Sequence, residues 1–142
     1  MPTETMTTLQ EAAKRGDVET VEAEVAKGVD VNERSGWAQN SALHWAAAGN
    51  PGCTLCLLVH GGDVNARDYN EKTPLHKACA FGDADCVRLM LQAGADIHVK
   101  DEEGKTPVDY AQGKRVILAL LDETTDPKEK RRAKWLHEWN DD

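Results

Sequence analysis

An all-α solenoid of about four stacked helix-turn-helix units, ending in a C-terminal helix, is the fold class this sequence predicts. Three observations carry it. Gly28, Gly61 and Gly94 recur 33 residues apart, and each introduces a related tetrad: Val29-Asp30-Val31-Asn32, Gly62-Asp63-Val64-Asn65 and Ala95-Asp96-Ile97-His98. Leu9, Leu43, Leu75 and Val108 keep nearly the same beat, at intervals of 34, 32 and 33 residues. Helix-start and helix-stop residues stand at matching offsets within the units. Self-similarity at this period marks a repeat architecture, in which a unit buries its apolar face only against its neighbours.

The elements follow in order. Thr7 and Gln10 have capping-box spacing and open the first helix. Thr73-Pro74-Leu75-His76 and Thr106-Pro107-Val108-Asp109 open the corresponding helices of the third and fourth units, with a hydroxyl at the N-cap and proline at the first helical position, where its missing N–H costs nothing. Gly28, Gly61 and Gly94 suit left-handed C-caps of each second helix, and the Asp and Asn after them favour a tight turn. The helices are expected to be about eight to ten residues long, too short to persist alone in water. Ala78, Cys79, Val87, Leu89, Met90 and Leu91 are therefore expected to bury against equivalents such as Ala46, Ala47, Cys56, Leu57 and Leu58. The predicted organisation is a repeat domain over 1–123, with units near 7–36, 37–69, 70–102 and 103–121, and a charged amphipathic tail helix over 124–142. In that tail Asp126-Pro127 provides a cap, and Trp135, Leu136 and Trp139 share one face. The face is expected to cover the exposed end of the last unit.

Composition narrows the function. The 142 residues are 40% hydrophobic and 30% charged, which is ordinary for a soluble domain. A net charge of -8 opposes attraction to phosphate backbones or anionic membranes. There is no basic region followed by an apolar run at the start, and no stretch near the ~18 apolar residues of a membrane span. The expectations are no nucleic acid, no membrane, no cofactor, a monomer in isolation, and a cytoplasmic or nuclear address.

The Thr73-Pro74-Leu75-His76-Lys77-Ala78 run and the 33-residue beat resemble the ankyrin repeat family, whose Thr-Pro-Leu-His-x-Ala signature this run matches. The resemblance covers roughly residues 7–121. It implies that His44 and His76 hydrogen-bond within and between loops, and that the protein works by binding another protein. Three departures stand out. The connection from Asn32 to Ser41 is one residue longer than its counterparts, the second unit is one residue short between Ala47 and Gly49, and Glu71 stands where Gly104 holds the matching turn. That loop is expected to be strained or reshaped.

Other chemistry is weighed and set aside. Cys53, Cys56, Cys79 and Cys86 invite a zinc reading, but they fall at small buried positions of the repeat, so no metal is expected. A Cys53–Cys86 disulfide is disfavoured because packed helices lie ~8–10 Å apart, beyond the ~7 Å reach of a disulfide. None of the five histidines sits beside a nucleophile in a defensible motif, and no enzyme is expected. Arg34, Arg67 and Lys100 form a possible basic column. Pairing with loop acids such as Asp68 and Asp101 is the preferred reading, because residues 1–122 carry 12 basic and 19 acidic side chains.

The functional expectation is a protein-interaction module that binds through its concave loop and first-helix face. The alternative is a structural or regulatory segment acting through its C-terminal helix, with the solenoid as a rigid support. Carried over from the family, the partner-binding positions are Trp37, Trp45, Tyr69, Asn70, Lys72, Lys77, Phe81, Glu102 and Glu103. For Trp45 and Phe81 the competing reading is packing between units, in the space left by the missing residue. The resemblance also implies possible hydroxylation of Asn65 in its Asp-Val-Asn turn. The plain alternative there is an asparagine that bonds backbone.

Overall fold

The computed structural model describes residues 6–123 and places eight helices there: α1 (Thr8–Arg15), α2 (Val18–Ala26), α3 (Ala42–Ala46), α4 (Pro51–Val59), α5 (Pro74–Phe81), α6 (Ala84–Gln92), α7 (Pro107–Tyr110) and α8 (Arg115–Glu123). α1 packs on α2, α3 on α4 and α5 on α6. The first helices α1, α3, α5 and α7 stack on one another, and α2, α4, α6 and α8 make a second layer behind them. The fold is the expected all-α solenoid. The expected tail helix lies outside the described residues.

The predicted caps form. Thr7 accepts from the Gln10 amide at 3.1 Å while Gln10 Oε1 accepts from the Thr7 amide at 3.2 Å. Thr73 caps α5 through the His76 amide, and Pro74 and Pro107 occupy first-turn positions. Gly28, Gly61 and Gly94 adopt φ of +85°, +91° and +91°, as a left-handed helix end requires.

Two helices are shorter than expected, α3 with 5 residues and α7 with 4. In the second unit, one residue short before Gly49, the end of the first helix tightens, with the Ala48 amide donating to the Trp45 carbonyl at 3.3 Å. The gap does not stay empty: the Phe81 ring of the next unit lies against Gly49, so closely that a Cβ there would sit 2.5 Å from it. Units are also fastened end to end. Asn50 Nδ2 donates to the Ala13 and Lys14 carbonyls at 2.9 and 3.2 Å, capping α1 from the following unit.

The core runs unbroken along the stack, from Leu9, Ala12 and Val21 through Leu43, Leu57, Leu75 and Met90 to Ile117 and Leu121. Cys53, Cys56, Cys79 and Cys86 are free thiols within it. Burial pushes their pKa values up, to about 11 for Cys53 and about 12 for Cys79.

The strain expected at Glu71 is present. Glu71 has φ +62°, beside +54° for Gln39 and +78° for Gly104 at the matching positions of neighbouring loops. A side chain in this region costs roughly 1–2 kcal/mol that glycine avoids. The Arg67–Glu71 ion pair, at 3.0 Å with both side chains about half exposed, offsets little of it. Glu71→Gly is expected to stabilise the fold by about 0.5–1 kcal/mol in urea denaturation. Unchanged or lower stability would show that the pair outweighs the strain.

Candidate functional site

The loops between units are built on aspartates for which the sequence suggested only salt bridges. Asp68 Oδ1 accepts from the Asn70 and Lys72 amides at 2.9 and 3.0 Å, and Asp101 Oδ1 accepts from those of Glu103 and Lys105, both at 2.9 Å. Each carboxylate thus closes a tight finger by satisfying two otherwise unpaired donors. Within the basic column Arg67 pairs with a loop acid as expected, but with Glu71, whereas Asp68 bridges Lys77 at 3.4 Å.

Adjacent fingers are held in register by backbone. The Tyr69 amide donates to the Ala38 carbonyl at 2.9 Å, and the Glu102 amide donates to the Asn70 carbonyl at 2.9 Å. Trp37, Tyr69 and Glu102 therefore occupy the same place on successive fingers. Trp37 is 69% exposed and Tyr69 is 65% exposed.

One step along the stack, Asn70, Lys72, Asp101, Glu102 and Glu103 line a small depression of about 110 Å³. Four of these five were expected from sequence; Asp101 was not. Beneath it stands Tyr110, also missed, whose hydroxyl donates to Asp101 Oδ2. The Lys72 and Lys105 ammonium groups lie 5.3 and 5.8 Å from the Tyr110 ring centre. Burial first, and then the Asp101 carboxylate, push the Tyr110 pKa up, so the hydroxyl stays a donor. Lys77, the first-helix counterpart of Tyr110, is fixed by its bridge to Asp68.

Behind the fingers each repeat is tied to the next by a ring or amide. His44 Nδ1 accepts from the Ser41 amide at 3.2 Å, and its Nε2 faces the Lys72 carbonyl at 2.9 Å. His76 repeats the pattern with Thr73 and Lys105, both at 3.0 Å. In the first unit Gln10 does the same work, its Nε2 donating to the Glu33 carbonyl at 2.8 Å. Burial lowers the His44 pKa to about 4, partly opposed by the Lys72 carbonyl, and burial likewise lowers that of His76. These neutral rings position the fingers and hold the role that the resemblance implied for them.

The remaining expected residues divide. Trp45 is half-buried and packs against the core with Lys14 5.1 Å above its ring, while its buried indole N–H finds no partner. Phe81 is 62% exposed but rests on Gly49 at the far end of α5 from Tyr69. The packing roles weighed for both side chains are therefore visible, and the aromatic residues do not form one cluster. Asn65 is exposed, and its Oδ1 accepts from the Asp96 amide of the next turn at 2.8 Å, as Asn32 Oδ1 does from Asp63 at 2.7 Å. Among the described residues no helix is long and apolar enough to cross a membrane.

A family model for ankyrin repeats, in three copies, matches residues 43–131. A Pyrobaculum aerophilum protein named as an ankyrin repeat protein is 41% identical over 70 residues, which are 49% of this chain and 26% of that one. The E3 ubiquitin-protein ligase Ufd4 of Drosophila melanogaster is 41% identical over 73 residues, 51% of this chain and 3% of its own. The chain thus spans about a quarter or less of these curated relatives. With caps, register and inter-repeat histidines in place, and a family match over more than half its length, the chain belongs to the ankyrin repeat family.

Proposed function

We propose that this chain binds a partner protein through the finger tips and the adjoining first-helix face, with Trp37 and Tyr69 as the anchors. Ankyrin repeats are in general protein-interaction modules, and what supports this particular face is one observation: two rings, 69% and 65% exposed, stand in register on fingers tied together through backbone. Rigid presentation limits the entropy lost on binding, and Trp and Tyr are enriched among the residues that dominate interface energies. Asn70, Lys72, Glu102 and Glu103 form the polar continuation of the face, and Lys77 lies beside it. Trp45 and Phe81 contribute their outer edges while serving mainly to pack units together. Asn65 is proposed as a hydroxylation site, and its hydrogen bond to Asp96 needs only the amide oxygen, so it is compatible with a modified side chain. The repeats occupy 1–123 in this reading, with 124–142 as a separate tail.

The test is capture of partners from matched cell extract by the full chain and by Trp37→Ala/Tyr69→Ala. Loss of both rings is expected to weaken the dominant partner by at least ~2 kcal/mol, about 30-fold in affinity, with little change in thermal stability. Equal capture by both proteins would remove the fingers from the interface.

A further inference from the structure

The finger that carries Trp37, residues 33–40, is built differently from the two that follow it. In those, the aspartate at the base closes the loop with its backbone and side chain together. The Asp68 amide donates to the Lys72 carbonyl at 2.9 Å, the Asp68 carbonyl accepts from the Glu71 amide at 2.9 Å, and Oδ1 takes the Asn70 and Lys72 amides. Asp101 repeats the set with the Lys105 carbonyl, the Gly104 amide and the Glu103 and Lys105 amides. In the first finger Ser35 stands in the aspartate's place, and Gly36 lengthens the loop by a residue. Of that set only the bond from the Ser35 amide to the Asn40 carbonyl survives, stretched to 3.4 Å. The exposed Gln39 side chain adds a contact to the Gly36 carbonyl at 2.6 Å, from a backbone held at φ +54°. Among the described residues no group accepts the Trp37, Ala38 or Gln39 amide.

The hold on this finger comes instead from Gln10 on α1. A primary amide offers two donors and an oxygen with two lone pairs. Every one is used: Nε2 donates to the Glu33 carbonyl at 2.8 Å and to the Asn40 carbonyl at 3.4 Å, one on each limb of the finger, while Oε1 accepts the Thr7 amide at 3.2 Å and the Ser35 hydroxyl. Gln10 is 1% exposed, so water has little access to these bonds. His44 and His76, at the matching positions of α3 and α5, reach only the N-cap residue and one carbonyl. The fingers they hold are already closed by Asp68 and Asp101.

We propose that Gln10 is the positioning residue of the aromatic anchor Trp37. Its amide replaces the missing aspartate clamp, and together with the Tyr69 amide on the Ala38 carbonyl it fixes the finger on both sides of the ring. The closing group has moved from the finger to the helix behind it. That the position of Trp37 matters to a partner rests on the finger-tip reading above, whereas the latch can be tested without any partner.

Residue-resolved NMR on the full chain at neutral pH is that test. Gln10→His keeps the helix cap and one carbonyl contact, as His44 does, but leaves Ser35 and one limb of the finger unheld. The Ser35 and Tyr69 amides, which report the two ties, are expected to exchange at least ~10-fold faster, as loss of one or two hydrogen bonds from a locally opening segment implies. The order parameter of the Trp37 amide is expected to fall from about 0.85 to below about 0.6, while α1 and the clamped Lys72 and Lys105 amides are unchanged. Adding Ser35→Asp with Gly36 deleted rebuilds the Asp68 loop in this finger and is expected to restore both readings. Unchanged exchange in Gln10→His would overturn the proposal. So would equal acceleration throughout α1, which would make Gln10 a packing residue of the first unit, or failure of the rebuilt loop to rescue. Capture from extract separates the two readings: a partner lost by Trp37→Ala/Tyr69→Ala but held as tightly by Gln10→His as by wild type would keep the finger face and remove Gln10 from its positioning.

Discussion

Leu75→Ala is expected to lower the unfolding free energy by about 3 kcal/mol or more, the largest loss predicted for a single substitution here. Leu75 is fully buried at the second position of α5, in the middle of a core running from Leu9 to Leu121. Truncation removes transfer energy and leaves a cavity that stacked short helices on both sides cannot close without losing their own contacts. The cost also spreads, because α5 packs on α3 and α7 and a repeat has little stability without its neighbours. Urea denaturation followed by circular dichroism measures it, with Val116→Ala as the control, since Val116 is 62% exposed and should change stability by less than ~0.5 kcal/mol. A loss below ~1 kcal/mol at Leu75 would mean that the stack is loosely coupled.

The second large effect is acid sensitivity. Folding holds the His44 pKa at about 4, against 6.5 for the free group, and moves His76 in the same direction, burial being the main cause of both. An unfolded histidine takes up its proton as pH falls through about 6.5, while the folded ring resists until about 4. The unfolded state thus binds more protons across that window, and stability falls as pH falls. For His44 the loss reaches on the order of 3 kcal/mol below pH 4, because each tenfold difference in proton affinity between the two states is worth about 1.4 kcal/mol, and His76 adds to it. The local reason is visible: Nδ1 accepts a backbone N–H in both rings, so protonation there sets donor against donor. Gln10 fills the same role in the first unit with an amide that cannot titrate. His44→Gln/His76→Gln is therefore expected to fold at pH 7 and to lose about 3 kcal/mol less than wild type between pH 7 and 4, measured by urea titration at each pH. Parallel pH profiles would show that the histidines are not the acid-labile groups.

What the sequence alone determined was the periodic part of the molecule. The beat of Leu9, Leu43, Leu75 and Val108, the Thr-Pro helix starts and the left-handed glycines are local instructions, each readable because its chemistry acts within a few residues. The strain at Glu71 was legible for the same reason, since Gly104 shows what that turn requires. The proposed partner-binding positions were named from resemblance, but their arrangement belongs to contacts between residues about thirty positions apart. Only the tertiary structure decided that Trp37 and Tyr69 share a register through the Tyr69–Ala38 hydrogen bond, that Phe81 fills the space over Gly49, and that Asp68 and Asp101 each give one oxygen to finger amides and the other to Lys77 or Tyr110. It also decided that the apolar outer positions of α4 face α2 across an open groove. Spacing along the chain dictates which side of a helix a residue occupies, whereas which neighbour waits on that side depends on how the units stack.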